Sequence, residues 1–288
     1  MKMNGVWLPI ITPFKNNELD LKSYKRMIDY YLNQGISGII PLGTTGESPT
    51  VSDSEFDVIV SKTLEYVDSK VPVFIGLGGN NTDKLIKRAK KLEEYNVDGI
   101  LSATPYYSRP SQEGIYEHFA SLAHETDLNV IVYNIPYRTG RNIENDTIFR
   151  LAEIDNIIAI KDCCGDIKQS MELLKNKPEN FSILTGEDHL FYFTLVFGGD
   201  GGILASAHLN AEAYLEIYEN VADNNHQAAL KKWEEINDII PLIFKEPNPA
   251  PLKYCLKKMG LIESSELRLP LLEISEELEQ ELDKYIRN

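Results

Sequence analysis

Ile157-Ile158-Ala159-Ile160-Lys161-Asp162-Cys163-Cys164-Gly165 is the stretch on which both fold and chemistry turn. Four consecutive apolar residues predict a strand buried on both faces, and Lys161 stands where that strand ends. An ammonium is costly to hold away from water, so a lysine at the mouth of a buried strand has its pKa lowered and its lone pair freed. Such an amine facing a cleft is the nucleophile that forms a Schiff base with a carbonyl compound. A lone lysine at a strand end also fits a plainer role, in which the methylenes pack and the ammonium reaches solvent. The surrounding chain decides between the two.

Outward from that strand, the same rhythm repeats in both directions. Apolar runs at residues 6–12, 38–42, 71–77, 99–103, 129–135, 157–162, 181–185 and 202–206 predict about eight strands. Helical spacing follows them: Leu21, Tyr24, Met27, Ile28, Tyr31 and Leu32 after the first, and Leu85, Ala89 and Leu92 after the third. After the second come Phe56, Ile59, Val60, Leu64 and Val67, opened by Ser52 and Glu55 as a capping box. Tyr116, Phe119, Leu122 and Ala123 follow the fourth. Strand and helix alternating over this length predict an α/β protein of the (β/α)8 barrel class. The expected organisation is a catalytic barrel over residues 1–223 and a C-terminal helical extension over 224–288, punctuated by Pro241, Pro247, Pro249, Pro251 and Pro270. Helical periodicity from about Glu212 onward predicts burial of Leu215, Ile217, Trp233, Ile236 and Leu256.

Composition narrows the function. The formal charge of −15 disfavours nucleic acid and anionic membrane as partners, so an anionic substrate needs a local positive site. The three cysteines, two of them adjacent, make no disulfide framework and suit a reducing cytoplasm. The N-terminal apolar run is broken by Pro9 and Pro13 and reads as neither signal peptide nor membrane span. His118, His124, His189, His208 and His226 lack metal-ligand spacing, so neither a metal nor another cofactor is expected. The runs Gly76-Leu77-Gly78-Gly79 and Gly198-Gly199-Asp200-Gly201-Gly202 match no nucleotide-binding loop and are read as strand-end turns lining the cleft.

Barrel enzymes place their chemistry at the C-terminal ends of strands. Those ends carry Gly43-Thr44-Thr45-Gly46-Glu47, Thr104-Pro105-Tyr106-Tyr107 and Tyr133-Asn134-Ile135-Pro136-Tyr137-Arg138-Thr139-Gly140. Threonine hydroxyls can relay protons or bind a carboxylate, and Arg138 can hold a second carboxylate bidentately. Taken singly, each fits a turn, a packed tyrosine or a surface ion pair; together with Lys161 they converge on one cleft.

These motifs, with Tyr106-Tyr107-Ser108-Arg109-Pro110, Ile160-Lys161-Asp162 and Glu246-Pro247-Asn248-Pro249, resemble in sequence and order the pyruvate-dependent class I aldolases, the dihydrodipicolinate synthase and N-acetylneuraminate lyase family. The resemblance covers nearly the whole chain. It implies a lyase in which Lys161 forms the Schiff base with pyruvate and Tyr133 shuttles protons through Thr44 and Tyr107, the latter from a neighbouring subunit. It further implies that backbone around Thr44 and Thr45 holds the pyruvate carboxylate, that Gly186 and Ile203 line the site, and that Arg138 holds the second substrate. An arginine before Thr139-Gly140 resembles the synthase pattern, which joins pyruvate to aspartate semialdehyde in lysine and diaminopimelate biosynthesis, and the family implies a homotetramer of two tight dimers. Tyr137, Cys163-Cys164 and Ala205-Ser206-Ala207-His208 depart from the pattern. They keep open an aldolase for another 2-keto acid, such as a keto-deoxy sugar acid or the N-acetylneuraminate type, and more remotely a binding module that has lost catalysis. Ser48, Asn80 and Tyr106 match the lysine-inhibited members, whereas Pro49, Phe56 and Lys84 do not. The Lys84 cation would repel lysine's ammonium, so feedback is expected to be weak or absent.

Overall fold

The computed structural model describes residues 2–286 of the 288-residue chain. Its described strands are β1 (Gly5–Leu8), β2 (Phe14–Lys15), β3 (Glu18–Leu19), β4 (Gly38–Ile39), β5 (Phe74–Gly76), β6 (Gly99–Ala103), β7 (Asn129–Asn134), β8 (Ile157–Asp162), β9 (Ser182–Thr185) and β10 (Gly201–Ile203). β2 and β3 form a small antiparallel hairpin. The other eight make one sheet in the order β4-β1-β10-β9-β8-β7-β6-β5. Without the hairpin, that order is the chain order begun at β5 and carried round from β10 to β1. An open doubly wound sheet would reverse at a switch point instead, so the topology is that of a (β/α)8 barrel.

The chain divides into two compact units, one of residues 2–5 with Val73–Ile203 and one of Val6–Pro72 with residues 204–286. In the first, β5 to β10 alternate with helices that include Thr82–Leu92, Gln112–His124 and Ile167–Lys175. Phe74, Phe119, Phe181 and Phe191 fill its core. In the second, β1 and β4 accompany helices Leu21–Gln34 and Asp53–Val67 and the C-terminal helices Ala211–Ala222, His226–Asn237, Ala250–Lys258 and Glu276–Leu282. Trp7, Tyr31 and Tyr214 are its largest buried rings, and Gly38 is required because a Cβ there would come within 2.1 Å of the Trp7 indole.

Local chemistry sets the helix ends. Asp20 accepts from the Ser23 backbone at the start of Leu21–Gln34, and Gly35 closes it in the left-handed region at φ +88°. The predicted capping box is present, with Ser52 and Glu55 bonded in both directions.

Strands are mostly shorter than the apolar runs that announce them. The first predicted run stops being a strand at Leu8 because Pro9 follows, and the second stops at Ile39, with Leu42 at φ +61°. Gly201 and Gly202 lie inside β10, and Gly198 to Asp200 precede it, so this run opens a strand and does not cap its C-terminal end. Gly201 is backed by Gly5, whose carbonyl oxygen a Cβ would approach to 2.1 Å. Of the apolar residues expected in the C-terminal helices, Ile217, Ile236 and Leu256 are buried, while Leu215 and Trp233 are half-buried.

Candidate active site

β7 and β8 pair in parallel with Tyr133 opposite Lys161 and Asn134 opposite Asp162. That alignment depends on a register shift: Val130 faces Ile157 but Ile131 faces Ala159, so Ile158 is extra on β8. Register partners project to one face, so the lysine and the tyrosine emerge side by side. Lys161 Nζ lies 4.5 Å from the centroid of the Tyr133 ring.

Lys161 is 7% exposed, and burial lowers its pKa below the ordinary lysine value, against the opposing pull of Cys163, Asp188 and Glu187. Its neutral fraction at neutral pH is therefore raised. Burial pushes the Tyr133 phenol well above its ordinary value, so the group keeps its proton at neutral pH. The Cys163 thiol is also neutral, pushed up by burial, with its sulfur 4.0 Å from the Tyr133 hydroxyl.

Gly186 follows β9, and its N–H donates to Asp162 O at 2.8 Å. A Cβ on Gly186 would come within 2.2 Å of Lys161 Cε and 2.4 Å of Cys163 Sγ. The glycine is what leaves room for the lysine's methylene chain. Ile203 ends β10 and is fully buried.

Arg138 and Tyr137 are exposed on the single-turn helix Pro136–Thr139, with the guanidinium 5.8 Å from the Tyr137 ring centroid. Tyr137 is 65% exposed, so its bulk stands at the surface. Tyr107 is 90% exposed and held at φ +68°, an unfavourable backbone region for an aromatic residue. Its N–H donates to Thr139 O at 3.3 Å, and Arg109 Nε donates to Gly140 O at 2.9 Å, which ties the Tyr107 loop to the Arg138 loop.

Thr44 and Thr45 lie in the other unit. Their turn is closed by Gly46 N to Gly43 O and Glu47 N to Thr44 O, each 3.1 Å, and Thr12 Oγ1 donates to Gly46 O at 2.7 Å. Gly46 cannot be larger, because a Cβ would meet the Leu42 backbone nitrogen at 2.8 Å. Thr45 is buried, and its hydroxyl accepts from Asn248 Nδ2 at 3.0 Å.

Behind this turn is an ion pair that sequence reading did not anticipate. Glu47 is 1% exposed and Lys253 fully buried, and the two are in direct contact. Lys253 also donates to Glu266 O at 2.8 Å and lies 4.4 Å from the Phe14 ring centroid. Burial draws its pKa down to about 8, with Glu47 opposing the shift. A charge inside the apolar run Leu252-Lys253-Tyr254-Cys255-Leu256 was the available signal.

His208, one of the departures from the family pattern, is a packing residue. Burial lowers it to about 4, its Nδ1 donates to Ala205 O at 2.8 Å and its Nε2 accepts from Ile11 N at 3.4 Å. Among the described residues no His, Cys, Asp and Glu cluster could hold a metal ion, and no helix is long and apolar enough to cross a membrane.

A model of the dihydrodipicolinate synthetase family matches residues 2–288. The chain is 55% identical over 286 residues to 4-hydroxy-tetrahydrodipicolinate synthase 2 of Clostridium acetobutylicum, covering 99% of this chain and 100% of that one. It is similar to the crystal structure of dihydrodipicolinate synthase from Thermotoga maritima, with a TM-score of 0.95 at 38% identity, covering 99% and 97% of the two chains. A solved monomeric dihydrodipicolinate synthase variant matches with a TM-score of 0.94 at 39% identity, covering 98% and 95%.

Proposed function

We propose that this chain, which belongs to the dihydrodipicolinate synthetase family, condenses pyruvate with L-aspartate 4-semialdehyde through a Schiff base on Lys161. The product of this lyase chemistry is 4-hydroxy-tetrahydrodipicolinate, on the way to lysine and diaminopimelate. The observation that carries the reading is the buried, pKa-lowered Lys161 held beside the Tyr133 phenol on adjacent strands.

The chemistry follows from those two groups. The Lys161 lone pair attacks the pyruvate C2 carbonyl, and the resulting carbinolamine loses water as a protonated imine. The iminium withdraws electrons from the methyl carbon, which gives up a proton to the Tyr133 relay and becomes an enamine. The enamine carbon forms the new C–C bond at the aldehyde carbon, whose oxygen takes a proton. The substrate's own amino group then displaces Lys161 from the imine carbon as the ring closes. Tyr133 supports this role because it retains its proton at neutral pH and so can give one as it receives another.

Thr44 and Tyr107 extend the relay in this reading, and the backbone at Thr44 and Thr45 takes the pyruvate carboxylate. Gly186 and Ile203 line the site, and Arg138 takes the carboxylate of the second substrate, for which its exposed guanidinium is suited. Tyr107 serves a neighbouring subunit; its near-complete exposure supports that assignment. We assign a homotetramer of two dimers, a form supported by the exposed apolar side chains of Ile167, Met171, Val196 and Phe197. The compartment is the cytoplasm, in keeping with three free cysteines.

Borohydride reduction with pyruvate, followed by peptide mass mapping, tests the reading alongside an aspartate semialdehyde assay. The expected adduct is on Lys161 and not on the ion-paired Lys253, with turnover in the same preparation. An adduct without turnover would move the search to other aldehydes, and no adduct would end the Schiff-base reading.

A further inference from the structure

Asn134 follows Tyr133 in β7 and is fully buried, yet it makes no contact that the chemistry above uses. Its amide spans the loop that carries Arg138. Asn134 Oδ1 accepts from Ile143 N at 3.1 Å, and its Nδ2 donates to Asn142 Oδ1 at 2.9 Å and Ile143 O at 3.4 Å. The two ends of the segment 135–142 are thereby clasped by one side chain.

The clasp continues into three other elements. Asn142 Nδ2 donates to Gln169 Oε1 at 2.7 Å, and Gln169 Nε2 returns to Ile143 O at 2.7 Å. From the opposite side, Gln112 Nε2 donates to Asn142 O at 2.9 Å, and Gln112 Oε1 accepts from Glu144 N at 3.1 Å and Thr147 Oγ1 at 2.9 Å. Four uncharged amides from β7, the loop and two helices thus fix one loop, without a charge that would alter the titration of Lys161.

Inside the clasped segment, Ile135 O accepts from Arg138 N at 3.1 Å and Thr139 N at 3.0 Å, so the turn bearing Arg138 is rigidly referred to Asn134. Thr139 and Gly140 in turn hold Tyr107 and Arg109 through their carbonyls. We propose that Asn134 is a positioning residue for the second-substrate subsite: its amide clasp sets Arg138, and through Thr139 the Tyr107 loop, without acting on the imine-forming lysine. This rests on the pyruvate-aldolase reading above and specifies which half-reaction the network serves.

Asn134→Asp keeps the shape and the Oδ1 acceptor but, when ionised, has no donor for Asn142 and Ile143. The expected result at pH 8 is a rise in KM for aspartate semialdehyde on the order of tenfold, the loss that goes with one buried amide hydrogen bond. The rate of borohydride-trapped pyruvate adduct should stay within about twofold of the parent in the uncharged variant Asn142→Ala, since the new carboxylate of Asn134→Asp would itself act on the nearby Lys161. As pH falls the buried acid takes a proton and can donate again, so the ratio of variant to parent KM at each pH should shrink. Asn142→Ala, which leaves Asn134 in place, reads the same two parameters should Asn134→Asp fail to fold. Amide exchange over residues 135–143 should quicken in either variant.

An unchanged aldehyde KM, or an equal loss of adduct formation and aldehyde affinity in Asn142→Ala, would overturn the positioning role. A parent enzyme that forms no adduct would instead overturn the Schiff-base reading, which the parent assay reveals before any variant is made.

Discussion

Lys253→Met removes the cation that faces Glu47 while keeping most of the side chain's volume. Both partners are almost wholly shielded from water, so the variant strands a carboxylate that is 1% exposed. Breaking a buried pair from one side costs about 3–5 kcal/mol, because the remaining charge has lost its counter-ion and gains no water in exchange. For a chain of this size each kcal/mol moves the melting midpoint by about 2–4 °C, so the expected fall is on the order of 10 °C. Glu47 also accepts from Arg268 N at 3.3 Å and sits at φ +53°, so the damage should centre on the turn holding Thr44 and Thr45 and appear as a raised pyruvate KM. Adding Glu47→Gln removes the stranded charge and should recover a substantial part of the loss. Thermal unfolding of parent, both single variants and the double variant, with pyruvate KM measured on each, covers all of this. A Lys253→Met midpoint within about 2 °C of the parent, or no recovery in the double variant, would refute the reasoning.

Gly186→Ala places a methyl where Lys161 and Cys163 already sit, so adduct formation with pyruvate should slow by more than about tenfold while far-UV dichroism is retained; normal trapping would show that the packing yields. The rate of imine formation should rise with pH along the neutral fraction of Lys161, with a midpoint below the ordinary lysine value of 10.5. A midpoint at or above that value, from trapping rates between pH 6 and 11, would count against a desolvated amine. Tyr107→Phe should lower turnover more than it lowers tetramer content by sedimentation, and the reverse ranking would make Tyr107 an assembly residue. Lysine should inhibit weakly or not at all, given the exposed Lys84; half-inhibition at submillimolar lysine in an initial-rate assay would overturn that expectation.

The barrel was legible because its strands announce themselves as apolar runs, and helical spacing separates them. Strand ends were less so. Hydrophobicity marks a segment for burial, whereas the backbone ladder stops where Pro9 follows Leu8 or where Leu42 turns to positive φ. Gly201 was misplaced because its smallness serves the close approach of Gly5, a neighbour far away in the chain. Lys161 and Tyr133 could be named from motif order, but their alignment depends on a one-residue irregularity that composition does not encode. The same holds for Glu47 with Lys253 and for Asn134 with Asn142 and Gln169, whose partners are chosen by tertiary contact.

The extra residue on β8 works as a phase adjustment. With Val130 and Ile157 in step and no shift after them, Tyr133 would fall beside Ile160, and the amine and phenol would emerge on opposite faces. Lys161 and Tyr133 would both still be present, each in strand geometry, and the relay proposed for them would have nowhere to begin. Reactivity here is therefore a property of how two sequences are counted against each other. An insertion or deletion upstream of Lys161 in this strand can silence the enzyme without touching any residue that a motif search would recognise.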